Sequence, residues 1–374
     1  MRPTLICLLL FFLLIQVYSQ GEDLVFGQKY DISSSILQEE RQIAVFTPEN
    51  YQNSDEKYHV LYVLDGEWNF HFVASLTDKL ASSGDIPKMI VVGIINNNRS
   101  KDLTPAGVND NKDRYGGGEL FLDFLTEELQ PWVEKRFRTH PYKLLAGHSF
   151  GGLFTIYSMM QKPGAFQSYI ALSPSLGRND EQQVRIAKNF FKSENIFPKN
   201  LFLAVGNEGG LTYSSSKKFV DVLDAEVNGD FRYRFEHLKD ENHISITTQG
   251  FIQGLRFVYE GIDPRKVGSL DDIFLIEEHY QFLSKRFGHE VQIPEEYYQK
   301  FVKEQLAERE LDYALFILEK YQKDYADSPQ LLLYYADVHL LQGNFEDAKA
   351  YYLKLKELGI EQEYIEQILA KMKI

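Results

Sequence analysis

Lys143-Leu144-Leu145-Ala146-Gly147-His148-Ser149-Phe150-Gly151-Gly152-Leu153-Phe154 reads as a buried strand that runs through Gly-x-Ser-x-Gly directly into a helix. That is the pattern of a nucleophile elbow. A serine hydroxyl is a weak nucleophile until a base takes its proton, so it must stand on an exposed, strained turn within reach of an imidazole. Gly147 and Gly151 flank the turn because side chains there would strike the neighbouring strand and helix. The helix that follows aims its first N–H groups at the site, where a developing oxyanion needs donors.

Working outward, residues 23–262 alternate strand-like and helix-like segments. An opening pair of strands covers about 30–36 and 43–48. His59-Val60-Leu61-Tyr62-Val63-Leu64 and Met89-Ile90-Val91-Val92-Gly93-Ile94-Ile95 are continuous apolar runs, as expected of strands covered on both faces. An amphipathic stretch lies near 70–80, and a long helix is expected from Glu119 to about Phe137. Tyr169-Ile170-Ala171-Leu172, Leu201-Phe202-Leu203-Ala204-Val205 and the stretch 232–238 supply later strands, with helices between them. Apolar strands separated by helices specify a mostly parallel sheet with helices on both faces, which makes the fold class α/β and the architecture that of an α/β-hydrolase. Ligands of such sheets bind beyond the carboxyl ends of the strands, where the elbow sits.

After Pro264 the composition changes, and residues 268–374 form an all-α C-terminal helical region with no strand-like run. Leu311-Asp312-Tyr313-Ala314 is echoed by Phe345-Glu346-Asp347-Ala348 at an offset of 34 residues, with Gly343-Asn344 as a turn. A 34-residue helix–turn–helix period is that of tetratricopeptide repeats. The large aromatic expected early in each repeat is only partly matched, by Tyr298 and Leu332. About two such repeats are too few to stand alone, so the region is expected to pack on the hydrolase part.

The first 19 residues read as a cleaved signal peptide: Arg2, an apolar run from Leu5 to Ile15, and Val17-Tyr18-Ser19 before Gln20. The run is too short to span a bilayer, so an exported, periplasmic or extracellular protein without a membrane span is expected. Cys7, the only cysteine, lies inside that run, so disulfides and cysteine–metal sites are not expected. The formal charge of −14 is spread along the chain with no basic stripe, which argues against nucleic acid as a partner. No pair of histidines has metal-ligand spacing, and neither metal nor cofactor is implied.

An elbow serine works with a histidine base and an orienting acid, in chain order Ser, acid, His. Among nine histidines, His243 alone follows the last strand in a polar loop, Lys239-Asp240-Glu241-Asn242-His243, and is the candidate base. Glu208, in Val205-Gly206-Asn207-Glu208-Gly209-Gly210, is the candidate acid, with Asp221, Asp224, Asp240 and Glu241 left open beside it. Two backbone N–H donors are needed for the oxyanion: one from Phe150, the other near Gly66 or Glu67 in Asp65-Gly66-Glu67-Trp68. Trp68 is a candidate wall of the substrate pocket.

Leu61-Tyr62-Val63-Leu64-Asp65-Gly66-Glu67, Val91-Val92-Gly93-Ile94 with Arg99-Ser100-Lys101-Asp102-Leu103-Thr104-Pro105, Gly147 to Leu153, and Leu172-Ser173-Pro174-Ser175-Leu176 together resemble the putative-esterase family. That family includes esterase D, ferric enterobactin (siderophore) esterases, feruloyl esterases and mycolyltransferases. The resemblance covers about 24–262 and is closest to the siderophore-esterase branch around Arg99 to Pro105. It implies that a basic residue, here Arg99, helps to hold an anionic substrate; the competing reading of Arg99 is a salt bridge to Asp102. It also implies that some members work with only a Ser–His pair, which leaves the role of Glu208 open. The expected function is therefore an exported serine esterase acting on a small-molecule ester, siderophore esters among the candidates. The alternatives are an acyltransferase of the same fold and a non-catalytic binding protein recruiting a protein partner through its helical tail.

Overall fold

Continuous apolar runs become the centre of a single eight-stranded sheet in the computed structural model, which describes residues 26–107, 110–193, 200–227, 231–266, 270–360 and 362–372. The expected signal peptide, 1–19, lies outside the described residues. The strands are β1 (Gln28–Ser34), β2 (Glu39–Phe46), β3 (Tyr58–Val63), β4 (Met89–Ile94), β5 (Thr139–His148), β6 (Ser168–Leu172), β7 (Asn200–Gly206) and β8 (Arg232–Leu238). Their order is β1-β2-β4-β3-β5-β6-β7-β8. β2 runs antiparallel to β1 and to β4, and all other pairings are parallel. This is the mostly parallel α/β-hydrolase sheet that the sequence predicts.

Every residue of β3, β4, β6 and β7 is buried, because both faces are covered. Alternation sorts the side chains. Leu61, Val63, Val91, Leu144 and Ile170 face one layer, with Phe70 and Val73 of α1 (Gly66–Ser82) and Phe251 and Leu255 of α8 (Ile246–Val258). Val60, Tyr62, Val92, Leu145 and Tyr169 face the other. That second layer holds Leu122 of α3 (Gly118–Asp123), Phe154 of α5 (Phe150–Gln161), Val184 of α6 (Arg178–Ser193) and Phe219 of α7 (Gly210–Glu226). Each fully buried aliphatic side chain contributes roughly 1.5–3 kcal/mol.

Two details depart from the pattern expected. The helix predicted from Glu119 to about Phe137 is broken into α3, a π-helical turn over Phe124–Leu129, and α4 (Gln130–Arg136). Pro131 near the start of α4 explains the break: it has no N–H for the preceding turn and crowds the carbonyl four residues back, so the turn widens. The loop after β4 also folds into one helical turn, α2 (Arg99–Asp102), capped by the side chain of Asn98.

The tail consists of α9 (Ile273–Phe287), α10 (Glu295–Glu308), α11 (Leu311–Asp324), α12 (Pro329–Gln342), α13 (Phe345–Glu357) and α14 (Gln362–Lys371). Helix α12 begins 34 residues after α10, at Pro329 against Glu295, and α13 begins 34 after α11, at Phe345 against Leu311. The matched alanines, Ala314 and Ala348, are both fully buried where paired helices approach. Ile273, Ile276, Leu283 and Phe287 belong to the same apolar cluster as Phe70 and Leu255, so the tail and one face of the sheet share a core. Among the described residues, no helix is long and apolar enough to cross a membrane.

Where α9 ends it meets the amino end of β3 through histidines. His289 Nδ1 lies 2.8 Å from the Glu290 carbonyl, which can only accept, so the proton is on Nδ1 and Nε2 accepts. His59 then donates from Nε2 at 2.6 Å, and the Tyr259 hydroxyl donates to His59 Nδ1 at 2.9 Å. His140 stacks on His289 with centroids 3.6 Å apart. Burial, and secondarily the neighbouring histidines, lowers His59 and brings His140 to about 4; burial also lowers His289. A histidine depressed in the folded state takes up its proton first in the unfolded state, so its contribution is complete above about pH 6.5 and is lost as the pH falls toward 4. Thermal unfolding should therefore show the melting temperature already declining between pH 6.5 and 5.5, above the range where most carboxylates titrate. His140→Phe should flatten that slope, and an unchanged slope would remove the cluster as its cause.

Candidate active site

Strand β5 ends at His148 and α5 begins at Phe150, leaving Ser149 alone on the turn at φ 60°, ψ −113°. A non-glycine residue there is strained by about 1–3 kcal/mol and persists only where its surroundings over-determine it. Here the Ser149 N–H donates to the Leu172 carbonyl at 2.9 Å, while the Ser149 carbonyl accepts from Leu153 at 2.9 Å and from Ser175 at 3.1 Å. A Cβ on Gly147 would stand 2.5 Å from the Gly151 backbone, and one on Gly152 would stand 2.9 Å from the Leu172 carbonyl oxygen. Only glycine lets α5 fold back this closely over the strands.

The candidate base and acid arrive on neighbouring loops. Glu208 follows β7 and His243 follows β8, and the loops meet where the Asn207 N–H donates to the Glu241 carbonyl at 2.6 Å. His243 Nδ1 lies 2.6 Å from Glu208 Oε2, with the carboxylate side chain 8 % and the imidazole 40 % exposed. With Nδ1 committed to the carboxylate, Nε2 is the nitrogen free to serve as a base. Of the alternative acids, Asp221 pairs with Lys217 and Asp224 accepts from the Tyr233 hydroxyl at 2.6 Å, so neither is turned to His243.

Gly66 and Glu67 are the first two residues of α1, and Phe150 is the first of α5. First-turn N–H groups have no acceptor within their own helix. Two helix starts whose residues line the Ser149 cleft, Asp65 and Trp68 at one and Ser149 at the other, therefore carry N–H groups without an intrahelical acceptor. The Glu67 side chain itself is turned away to Asn96, its Oε1 accepting at 2.8 Å.

Arg99 does not pair with Asp102. Its Nε and Nη2 donate to the two carboxylate oxygens of Asp65 at 2.7 and 2.9 Å, and Nη2 also approaches the His148 carbonyl at 3.3 Å. Asp102 is instead the partner of Arg41, at 2.8 Å. The salt bridge that Arg99 forms is therefore to Asp65 and not to Asp102. Asp65, on a left-handed turn at φ 56°, faces back across the elbow, whereas Asp102 ends α2 pointing into the core. The Arg99 guanidinium lies 5.5 Å from the Trp68 ring and 5.6 Å from that of Phe150.

Ser149, His243, Arg99 and Trp68 line one open cleft of about 430 Å³ at the carboxyl ends of the strands. Trp68 and Ile244 stand at its rim, 67 % and 71 % exposed. Two neighbours stand out only in the structure. His148 lies under His243 with ring centroids 4.6 Å apart, and burial, then the proximity of His243, lowers it to about 4, so it is neutral. Ser173, fully buried, donates its hydroxyl to Glu208 Oε1. Ser173 was visible only as part of a motif, and nothing in the local pattern distinguishes His148. Among the described residues, no group of three or more His, Cys, Asp or Glu side chains is placed to hold a metal ion.

The sequence signature of the family described as Putative esterase matches residues 34–228. Ferri-bacillibactin esterase BesA of Bacillus subtilis (strain 168) is 27 % identical over 236 residues, which cover 55 % of this chain and 81 % of that protein. The crystal structure of an IroE-like serine hydrolase from Shewanella oneidensis superposes with a TM-score of 0.68 at 28 % identity, over 80 % of this chain and 99 % of that one. An uncharacterised protein from Capnocytophaga ochracea matches 93 % of this chain and 99 % of its own, with a TM-score of 0.70 at 16 % identity, and shows the fold alone.

Proposed function

The chain belongs to the Putative esterase family, and on that footing we propose that it is an exported serine esterase hydrolysing carboxylic esters, siderophore esters foremost, through a Ser149–His243–Glu208 acyl-enzyme mechanism. The observation that carries the reading is the strained Ser149 turn in one cleft with an imidazole whose Nδ1 is held 2.6 Å from a carboxylate. Ser149 Oγ attacks the ester carbonyl as His243 Nε2 takes its proton, and Glu208 fixes the tautomer and stabilises the imidazolium. The oxyanion forms toward the N–H groups of Phe150 and of Gly66 or Glu67. His243 then protonates the leaving alcohol, and water, deprotonated by His243 in turn, releases the acid from Ser149.

The siderophore assignment draws on relatives named for that activity and on the cleft itself. Trp68 offers an exposed aromatic face, and Arg99 backs it with donors beyond those spent on Asp65. Export rests on the apolar segment at 5–15. For 268–374 we propose a supporting role under the sheet, since α9 shares its core, with the outer helix pair left for any protein partner.

Treatment with a fluorophosphonate probe, followed by mass spectrometry, should place the adduct on Ser149. A panel of catecholate-siderophore, feruloyl and acetyl-sugar esters should then show turnover, fastest with the first. No adduct on Ser149 would overturn the mechanism; faster turnover of another ester would overturn the substrate assignment alone.

A further inference from the structure

The three-residue turn after β6 touches both ends of the proposed catalytic set. Ser173 has no exposed surface and adopts φ 40°, a left-handed conformation that glycine would take with less strain. Its N–H donates to the Ala204 carbonyl at 2.7 Å, which holds the turn against the end of β7. Its hydroxyl, the group a glycine would lack, donates to Glu208 Oε1, and the Gly206 N–H approaches the same oxygen at 3.3 Å. The other oxygen, Oε2, is the one on His243.

This division matters because the Gly206 N–H, at 3.3 Å, is a weaker hold on Oε1 than the Ser173 hydroxyl. Glu208 is followed by Gly209 and Gly210, both at positive φ and both with open space where a Cβ would stand. A glutamate side chain has three rotatable bonds, so without a contact on Oε1 it can turn either oxygen, or neither, toward the imidazole. At the other end of the turn, the Ser175 N–H donates to the Ser149 carbonyl at 3.1 Å, and the Ser175 and Ser149 hydroxyls lie 3.4 Å apart. Pro174 between them packs on α5, its Cα 3.0 Å from where a Gly152 Cβ would be.

We infer that Ser173 is a positioning residue of the hydrolytic site: its hydroxyl clamps Glu208 Oε1 so that Oε2 stays on His243, in a turn that also braces the nucleophile's backbone. The inference rests on the Ser149–His243–Glu208 reading proposed above. A serine kept at a strained φ, fully buried, and spending its hydroxyl on the acid is what separates this role from ordinary turn chemistry.

Four variants test it: Ser173→Ala, Ser173→Gly, Glu208→Ala and the Ser173→Ala/Glu208→Ala double. Both Ser173 variants should lose kcat about tenfold with KM within about twofold, the scale of one hydrogen bond to a charged group. In the Glu208→Ala background, Ser173→Ala should cost nothing further, because the residue acts through the carboxylate. If Ser173→Gly keeps the parental kcat, only the backbone matters and the inference falls. Losses that multiply in the double variant would overturn it too. A Glu208→Ala enzyme with parental kcat would instead refute the acid assignment itself, and the inference with it.

Discussion

Replacing Ser149 by glycine should abolish ester hydrolysis and at the same time make the protein more stable. Loss of an activated nucleophile removes roughly 10⁴- to 10⁶-fold of kcat, and removal of His243 as well should add little, because the groups act as a unit. The stability gain has a separate origin. Ser149 is held at φ 60°, ψ −113°, at a cost of about 1–3 kcal/mol, while glycine reaches that region freely and loses only about 0.5–1 kcal/mol through the greater freedom of its unfolded chain. A net gain of about 1 kcal/mol is expected. Ser149→Ala separates the two effects, since alanine lacks the hydroxyl yet keeps the Cβ that makes the conformation costly. It should be equally inactive and no more stable than the parent. Initial rates on an aryl ester and urea unfolding of the three proteins decide the matter. Residual activity near the parental rate in either variant would mean that another group is the nucleophile, and equal stabilisation by alanine would mean that the turn stores no strain.

The elbow was legible because its constraints are local. Glycines at 147 and 152 answer contacts within a few residues or with the next strand, and the apolar runs of β3, β4 and β7 answer burial on both faces. His243 and Glu208 followed from chain order, which the parallel topology translates into position: the loops after consecutive parallel strands all emerge at the same edge. The 34-residue offset in the tail showed because small residues recur where paired helices cross. Illegible from sequence was anything decided by pairing across the fold. Arg99 meets Asp65 only because a left-handed turn swings Asp65 back over the elbow. Ser173 meets Glu208 across the β6–β7 ladder, 35 residues apart. His59 and His289, 230 residues apart, join only because the tail docks under the sheet. Backbone departures were hidden for a related reason. The left-handed stretch Asn179, Asp180 and Glu181 inside α6 carries no glycine to announce it.

Asp102→Ala should cost about 3 kcal/mol of stability and loosen the substrate cleft, although Asp102 is not part of it. Arg41 is the reason. Its side chain is completely buried in β2, between the Asp102 carboxylate at 2.8 Å and that of Glu39 at 2.7 Å, and over the rings of Phe121 and Phe124. Breaking a buried pair by deleting one partner costs about 3–5 kcal/mol, because the remaining charge is left uncompensated. Glu39, 40 % exposed, keeps part of that compensation, which sets the expectation at the lower end. Asp102 also anchors the single turn α2 that carries Arg99 toward Asp65, so its loss should raise KM more than it lowers kcat. The double variant Arg41→Met/Asp102→Leu removes both charges and should recover most of the stability, as replacement of buried ion pairs by apolar side chains often does. Urea unfolding of the two proteins separates the cases. If Asp102→Ala costs no more than an exposed pair, below about 1 kcal/mol, the Arg41 site is not the dry, closed compartment described. If the double variant regains stability but KM stays high, the carboxylate of Asp102, and not merely the packing around it, sets the position of Arg99.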